Sequence, residues 1–224
     1  MTRSNPFLRF IAIALLGLTA IFTLMGGIGT TCVAFNAEKY DSMIALVPVK
    51  PIFQVLVVVS IAAALYGIYA TVQAVRRQPG AYKAALIALI VGLLSSGVQF
   101  YYSLTLRGST APNSMRLYLT AFTLAVFLLL RLPPLWQRSG FDTQAAGTDG
   151  SDAAIGGAAL VLGGLLTLST PMWAAPTHIL GGFNYAGIIN LPLAAAGLAM
   201  IFGGSALLRT ARTRRHLSEA KTTA

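Results

Sequence analysis

Long uncharged apolar stretches alternate along the chain with short clusters of charge. A helix needs about 20 mostly apolar residues to cross the hydrocarbon of a bilayer, so each stretch of that length is a candidate span. Residues 10–37 run uncharged between Arg9 and Glu38, 51–75 between Lys50 and Arg76, and 84–106 between Lys83 and Arg107. Each predicts one crossing. No charge occurs over 153–208, but Pro171, Pro176, His178, Gly181, Gly182 and Asn184 interrupt that run with breakers and polar groups. It therefore predicts two helices, about 155–170 and 185–208, with 171–185 as either a loop or a re-entrant segment. A sixth span is expected over 115–135. Only 117–130 is uncharged there, between Arg116 and Arg131. If Arg131 sends its guanidinium to the headgroups while its stem stays apolar, the helix reaches Leu135 and Trp136, and Pro133 and Pro134 end it.

The expected fold is thus all-α: a polytopic transmembrane bundle of six spans, built as a four-helix unit (1–138) and a two-helix hairpin (155–208). Between them, 139–154 is polar, small and without periodicity, and reads as a flexible cytoplasmic linker. A basic tail, 209–224, follows. Lys39, Lys50, Arg107 and Arg116 fall on one side of this scheme and the remaining twelve of the 16 basic residues on the other. Cytoplasmic loops carry the excess of Lys and Arg, so both termini are expected inside. The first apolar run continues through Met25 and Ile28 to Val33, beyond the 7 to 15 residues of a signal-peptide core, and is expected to be retained.

Composition agrees with lipid as the solvent. Of 224 residues 56% are hydrophobic and only 10% charged, with a mean hydropathy of +0.73; soluble domains carry charge on about a quarter of their residues. The expected location is the cell (inner) membrane. A net charge of +10 would suggest nucleic acid in a soluble protein. Here the basic residues punctuate spans, and no basic face interleaved with aromatics is present to stack on bases. No nucleic-acid partner is expected. Cys32 is the single cysteine, which precludes an internal disulfide and a thiolate cluster.

The inventory inside the predicted spans contains no Asp, Glu, Lys or His, with Arg131 at a cytoplasmic end. Proton relays and voltage sensors are built from such groups, so those functions are disfavoured. Membrane enzymes are disfavoured on the same ground, and no cofactor or metal is expected: His178 and His216 fall on opposite faces of the membrane. Gln54, Gln99 and Asn190 need hydrogen-bond partners, because an amide facing lipid is unsatisfied. They are expected to face protein, either as interhelical glue or, with His178, as an outward cavity for a neutral or zwitterionic ligand.

Small residues recur at helical spacing: Gly156 with Gly163, Gly157 with Gly164, Ala195 with Ala199 and Gly203, and more weakly Gly92 with Ser96. Such stripes let a second backbone approach, within the bundle or from a partner membrane protein or second copy. Gly26, Gly27 and Gly29 read as a kinked or flexible helix end. Arg209, Arg212, Arg214 and Arg215 follow the last span directly and suit anionic headgroups. Three functions fit this picture. The first is a non-enzymatic membrane subunit or scaffold; the second, a small transporter, channel or receptor for an uncharged or zwitterionic solute. The third is a membrane enzyme using the outer group Glu38, Lys39, Tyr40 and Asp41.

Overall fold

The computed structural model describes residues 6–110, 113–141, 150–174, 179–180, 183–184 and 186–222. Among them the helices are α1 (Pro6–Asn36), α2 (Lys50–Val75), α3 (Ala81–Arg107), α4 (Asn113–Leu130), α5 (Pro133–Ser139), α6 (Gly150–Ala174) and α7 (Ala186–Thr222). All but α5 are long and apolar enough to cross a membrane, which gives a helical bundle with six candidate spans among the described residues. Between α1 and α2 the backbone runs in 3₁₀ turns, Ala37–Lys39 and Asp41–Val49. In the α6–α7 connection, β1 (Ile179–Leu180) pairs antiparallel with β2 (Phe183–Asn184), Ile179 opposite Asn184 and Leu180 opposite Phe183.

Local chemistry places the breaks. Pro51 sits in the first turn of α2, where its missing N–H is no loss. Gly108, at φ +66°, ends α3 in the left-handed region and donates its N–H to the Leu104 carbonyl at 3.0 Å. The fourth span departs from expectation. It stops at Leu130 instead of continuing to Trp136, because Leu132, preceding Pro133, takes an extended backbone (φ −60°, ψ 134°). Pro133 and Pro134 then open α5 rather than closing α4. Arg131 lies exposed in the turn and stacks on Trp136, 4.7 Å from the ring centroid. At 18 residues α4 is about 27 Å long, just under the thickness of the hydrocarbon.

Three further boundaries differ from the hydropathy reading. α6 runs on through Pro171 to Ala174, where the connection to the last span was expected to begin; Pro171 forgoes one backbone hydrogen bond without ending the helix. Gly150 through Ala154, assigned to the linker, are the first residues of α6; 142–149 lie outside the described residues. The basic tail does not begin a separate segment, since α7 continues as helix to Thr222. Lys and Arg are good helix formers, and nothing in the sequence after Leu208 stops the helix.

α1 is the most buried span, packed against α2, α4 and α6. The end of the bundle that holds the 3₁₀ segment Asp41–Val49 and the α3–α4 turn is called the cap end below; the opposite end, with the α2–α3 turn and α5, is the terminal end. An apolar core occupies each. Ala12, Leu16, Ala70, Ala85, Leu89, Phe127 and Leu130 fill the terminal end. Val33, Ala34, Leu46, Phe53 and Val57 fill the cap end beneath the 3₁₀ segment. Exposed polar contacts clip that segment at both edges: Lys50 Nζ donates to Glu38 Oε1 at 2.8 Å, and Arg107 Nε donates to the Ser42 carbonyl at 2.8 Å. At the terminal end the buried Arg9 donates to the carbonyls of Gly140 and Ala74, tying the chain after α5 to the end of α2.

The hairpin docks through α6. A Cβ at Gly156 would strike Val75 of α2, and one at Gly163 would strike Ile21 of α1. On the opposite face of α6 the backbones of the hairpin nearly touch. A Cβ at Gly157 would lie 2.7 Å from the Gly204 carbonyl oxygen, and one at Gly164 would lie 2.5 Å from that of Gly197. α6 therefore gives one glycine face to α1 and α2 and another to α7.

Candidate functional site

Between the apolar cores the interior of α1–α4 is polar. The buried face of α4 is Asn113, Arg116, Thr120, Thr123, Phe127 and Leu130, spaced three and four residues apart. α3 mirrors it, with Ala81, Ala84, Ala85, Ala88 and Leu89 in its first half and Ser95, Ser96, Gln99 and Ser103 in its second. α1 adds Thr19, Thr23 and Thr30, and α2 adds Ser60. The result is a seam of amides and hydroxyls that runs from the cap end to about mid-depth and stops at the Leu16, Leu89 and Phe127 core.

Arg116 is the centre of the seam. It is 3% exposed, and Gln99 and Ser60 beside it are each 0% exposed. Arg116 Nη2 donates to Gln99 Oε1 at 2.9 Å, and Nη1 donates to Ser60 Oγ at 3.4 Å. Gln99 Nε2 in turn donates to Ser60 Oγ at 3.4 Å, while Thr30 Oγ1 donates to Gln99 Oε1 at 3.3 Å. The guanidinium has donors only, which dictates the amide orientation: Gln99 must present its oxygen to Arg116. Toward the cap end, Asn113 Nδ2 donates to Ser103 Oγ at 3.4 Å; further in, the hydroxyls of Thr19 and Thr123 pair at 2.7 Å. Near mid-depth, Thr19, Thr23 and Thr120 with Leu16, Ala63 and Leu89 line a small cavity with room for about one water molecule.

Arg116 corrects the sequence reading, which counted it on the outer side at the start of the fourth span and found the spans free of buried charge. Hydropathy ends a span at a charge, but a helix has no need to stop there when the side chain can be taken up inside. Gly26 makes that possible. A Cβ at position 26 would lie 2.9 Å from Arg116 Cδ and 3.1 Å from Nη1, so the bare α1 backbone forms the wall against which the arginine lies. Gly27 does the same for α2, where a Cβ would meet Ser60 Cβ at 3.2 Å; Gly29 faces open space. The glycine run is continuous helix that admits two neighbours, rather than a frayed end. A signal for the site was present in the sequence: polar residues at 113, 116, 120 and 123 share one helical face with Phe127 and Leu130.

The sequence-predicted polar residues are not brought together. Gln99 joins Arg116. Gln54 is half-buried between α1 and α2 and donates to the Ala34 carbonyl at 3.1 Å. Asn190 lies exposed on α7, so it does not face protein as expected; α7 contacts mainly α6, and that side of it has no neighbouring helix among the described residues. His178 lies outside the described residues. Gly92 and Ser96 are both buried on α3, Ser96 Oγ donating to the Gly92 carbonyl at 2.8 Å, with Thr120 packed over Gly92. Ala195, Ala199 and Gly203 face outward; the packing face of α7 is instead Leu193, Gly197, Met200 and Gly204. Arg209 and Arg212 are exposed, whereas the side chains of Arg214 and Arg215 lie outside the described residues.

Chemically the seam offers one fixed positive charge, amides and hydroxyls. A guanidinium and the hydrogen-bond donors around it are of the kind that can orient and neutralise a negative group. Two of the guanidinium's three nitrogens are satisfied. Nε has no hydrogen-bond partner, and no carboxylate contacts Arg116 among the described residues. Comparison with protein-family models, with curated proteins and with solved structures finds no match to this chain.

Proposed function

We propose that the chain is a small membrane receptor or transporter whose α1–α4 unit binds a solute bearing a negatively charged group, with Arg116 and Gln99 as its anchors. One observation carries this reading: an arginine buried among helices of a membrane bundle with no carboxylate to pair it among the described residues. Guanidinium does not neutralise by losing its proton, and an unpaired buried charge costs several kcal/mol. Intramembrane ionisable residues retained at such cost mark ligand and ion pathways. The distribution of basic residues supports an outward cap end, so the solute would enter beside the Asp41–Val49 segment from outside.

The test is thermal unfolding of the purified protein in detergent against a panel of small carboxylates, amino acids, inorganic anions and neutral amides. A solute that raises the unfolding temperature of the wild type but not of Arg116→Gln or Gln99→Leu supports the reading. If every member of the panel acts equally on wild type and variants, the site has no ligand-binding role.

A second reading, a non-enzymatic subunit packing against another membrane protein, is favoured by the outer face of α7. Ala195, Ala199 and Gly203 form an exposed strip there between Leu191, Leu198 and Phe202, with open space over Gly203. Ala199→Cys in a Cys32→Ser background is expected to crosslink in native membranes if a helix docks on that strip. Failure to capture any product at positions 195, 199 and 203 would remove this reading.

A further inference from the structure

Resting on the solute-binding reading above, we infer that the group neutralising Arg116 is a small monovalent anion of halide size, bound at Nε inside the α1–α4 seam. Charge, size and donor geometry converge on it. The seam holds a single fixed charge, so one negative charge makes the interior neutral, whereas a dianion leaves a net charge in the low-dielectric interior. Nothing within the seam does that work, because its other side chains are amides and hydroxyls. Space is scarce. The guanidinium is enclosed by Gly26, Gln99 and Ser60, and the small cavity of the seam begins only about one helical turn further in, at Thr23, Ala63 and Thr120, with room for about one water molecule. A ligand of one heavy atom fits this scale; an amino acid does not without opening the helices.

The donors are of the matching kind. Nε–H is buried and unpartnered, so it is a hydrogen-bond donor without an acceptor. Around it, Ser60 Oγ accepts from Nη1 and from Gln99 Nε2, both at 3.4 Å, and Ser95 Oγ, 3.1 Å from Ser60 Oγ, donates to the Gly92 carbonyl at 3.3 Å, so Nε–H is the donor left for an anion. Gln99 already gives its oxygen to Nη2, which fixes the guanidinium plane. Replacing that amide by a carboxylate is the smallest change that supplies the missing charge from the protein itself.

The experiment uses sodium chloride against sodium gluconate at constant ionic strength, with the full-length protein in detergent, and reads the unfolding temperature and the retention of ³⁶Cl⁻. The wild type is expected to gain a few degrees in chloride, saturating with concentration, and to retain the tracer. Gln99→Glu is expected to unfold at or above the wild-type temperature in gluconate, to lose the chloride dependence and to lose tracer binding. Since it keeps the buried arginine paired, it separates loss of the site from loss of the fold. A wild type indifferent to chloride, or a Gln99→Glu variant that still binds the tracer, overturns the inference. If chloride is inert but a carboxylate or amino acid stabilises the protein through Arg116, the inference fails and the solute-binding reading stands; if none acts through Arg116, both fail.

Discussion

Arg116 and the residues that touch it show how unequal hydrogen bonds are within one bundle. A neutral interhelical hydrogen bond in a membrane protein contributes on average about 0.6 kcal/mol, because the unfolded helices find partners too. A bond to a buried charge contributes about 1.5–3 kcal/mol, and removing the acceptor strands the donor. Thr19→Val, which breaks only the Thr19–Thr123 hydroxyl pair, is therefore expected to change stability by well under 1 kcal/mol. Gln99→Leu, which leaves Arg116 Nη2 without its 2.9 Å partner, is expected to cost about 2–3 kcal/mol. Reversible denaturation in mixed micelles resolves the two; equal losses would mean that Gln99 does not carry the guanidinium. Gly26→Val drives a side chain into the Arg116 stem and is expected to destabilise by about 1–3 kcal/mol. Gly29→Val, which meets open space, provides the control: the same loss at both positions would show that α1 suffers from the valine itself and not from the contact with Arg116.

Among the elements, α6 and α7 illustrate what glycine does when backbones meet. At Gly164 the obstacle is the Gly197 carbonyl oxygen, which has no rotamer with which to yield, so Gly164→Ala must part the helices. Gly203 on the outer face of α7 meets nothing, and there alanine only removes the conformational freedom of glycine. Gly164→Ala is expected to lower the unfolding temperature by several degrees and to free α7 for proteolysis, whereas Gly203→Ala is neutral or stabilising by about 0.5–1 kcal/mol. Limited proteolysis at the α6–α7 connection reads the difference, and equal behaviour of the two variants would refute the close approach. Spacing alone did not separate these glycines. Seven-residue and four-residue stripes both promise a smooth face, and only the packing partner tells which stripe is covered.

At the scale of the whole molecule, six crossings bring the start of α1 and the basic end of the last span to the same side. Arg9 contacts Ala74, Val75 lies under Gly156, and Leu208 packs on Gly157, all at the terminal end. The basic residues gathered there predict that this end faces the cytoplasm. In a Cys32→Ser background, Ser109→Cys in the α3–α4 turn is expected to react with an impermeant maleimide added to intact cells, and Gln78→Cys in the α2–α3 turn only after lysis. The reverse pattern would invert the protein and place the Arg116 seam on the inner side.

Hydropathy determined that the chain has six helices apolar enough to span a bilayer, and located the first three to within about a turn, because the free energy of moving residues from water to lipid adds along the chain and needs no knowledge of neighbours. Only the folded chain decided that Pro133 starts a helix, that Ala195, Ala199 and Gly203 look outward, and that a charge counted on the outer side sits in the interior. The burial of Arg116 depends on a missing side chain at position 26 and an amide at position 99, which are neighbours in space and far apart in sequence. Pair interactions of that kind leave no mark on a one-dimensional sum, and the candidate site is made of them.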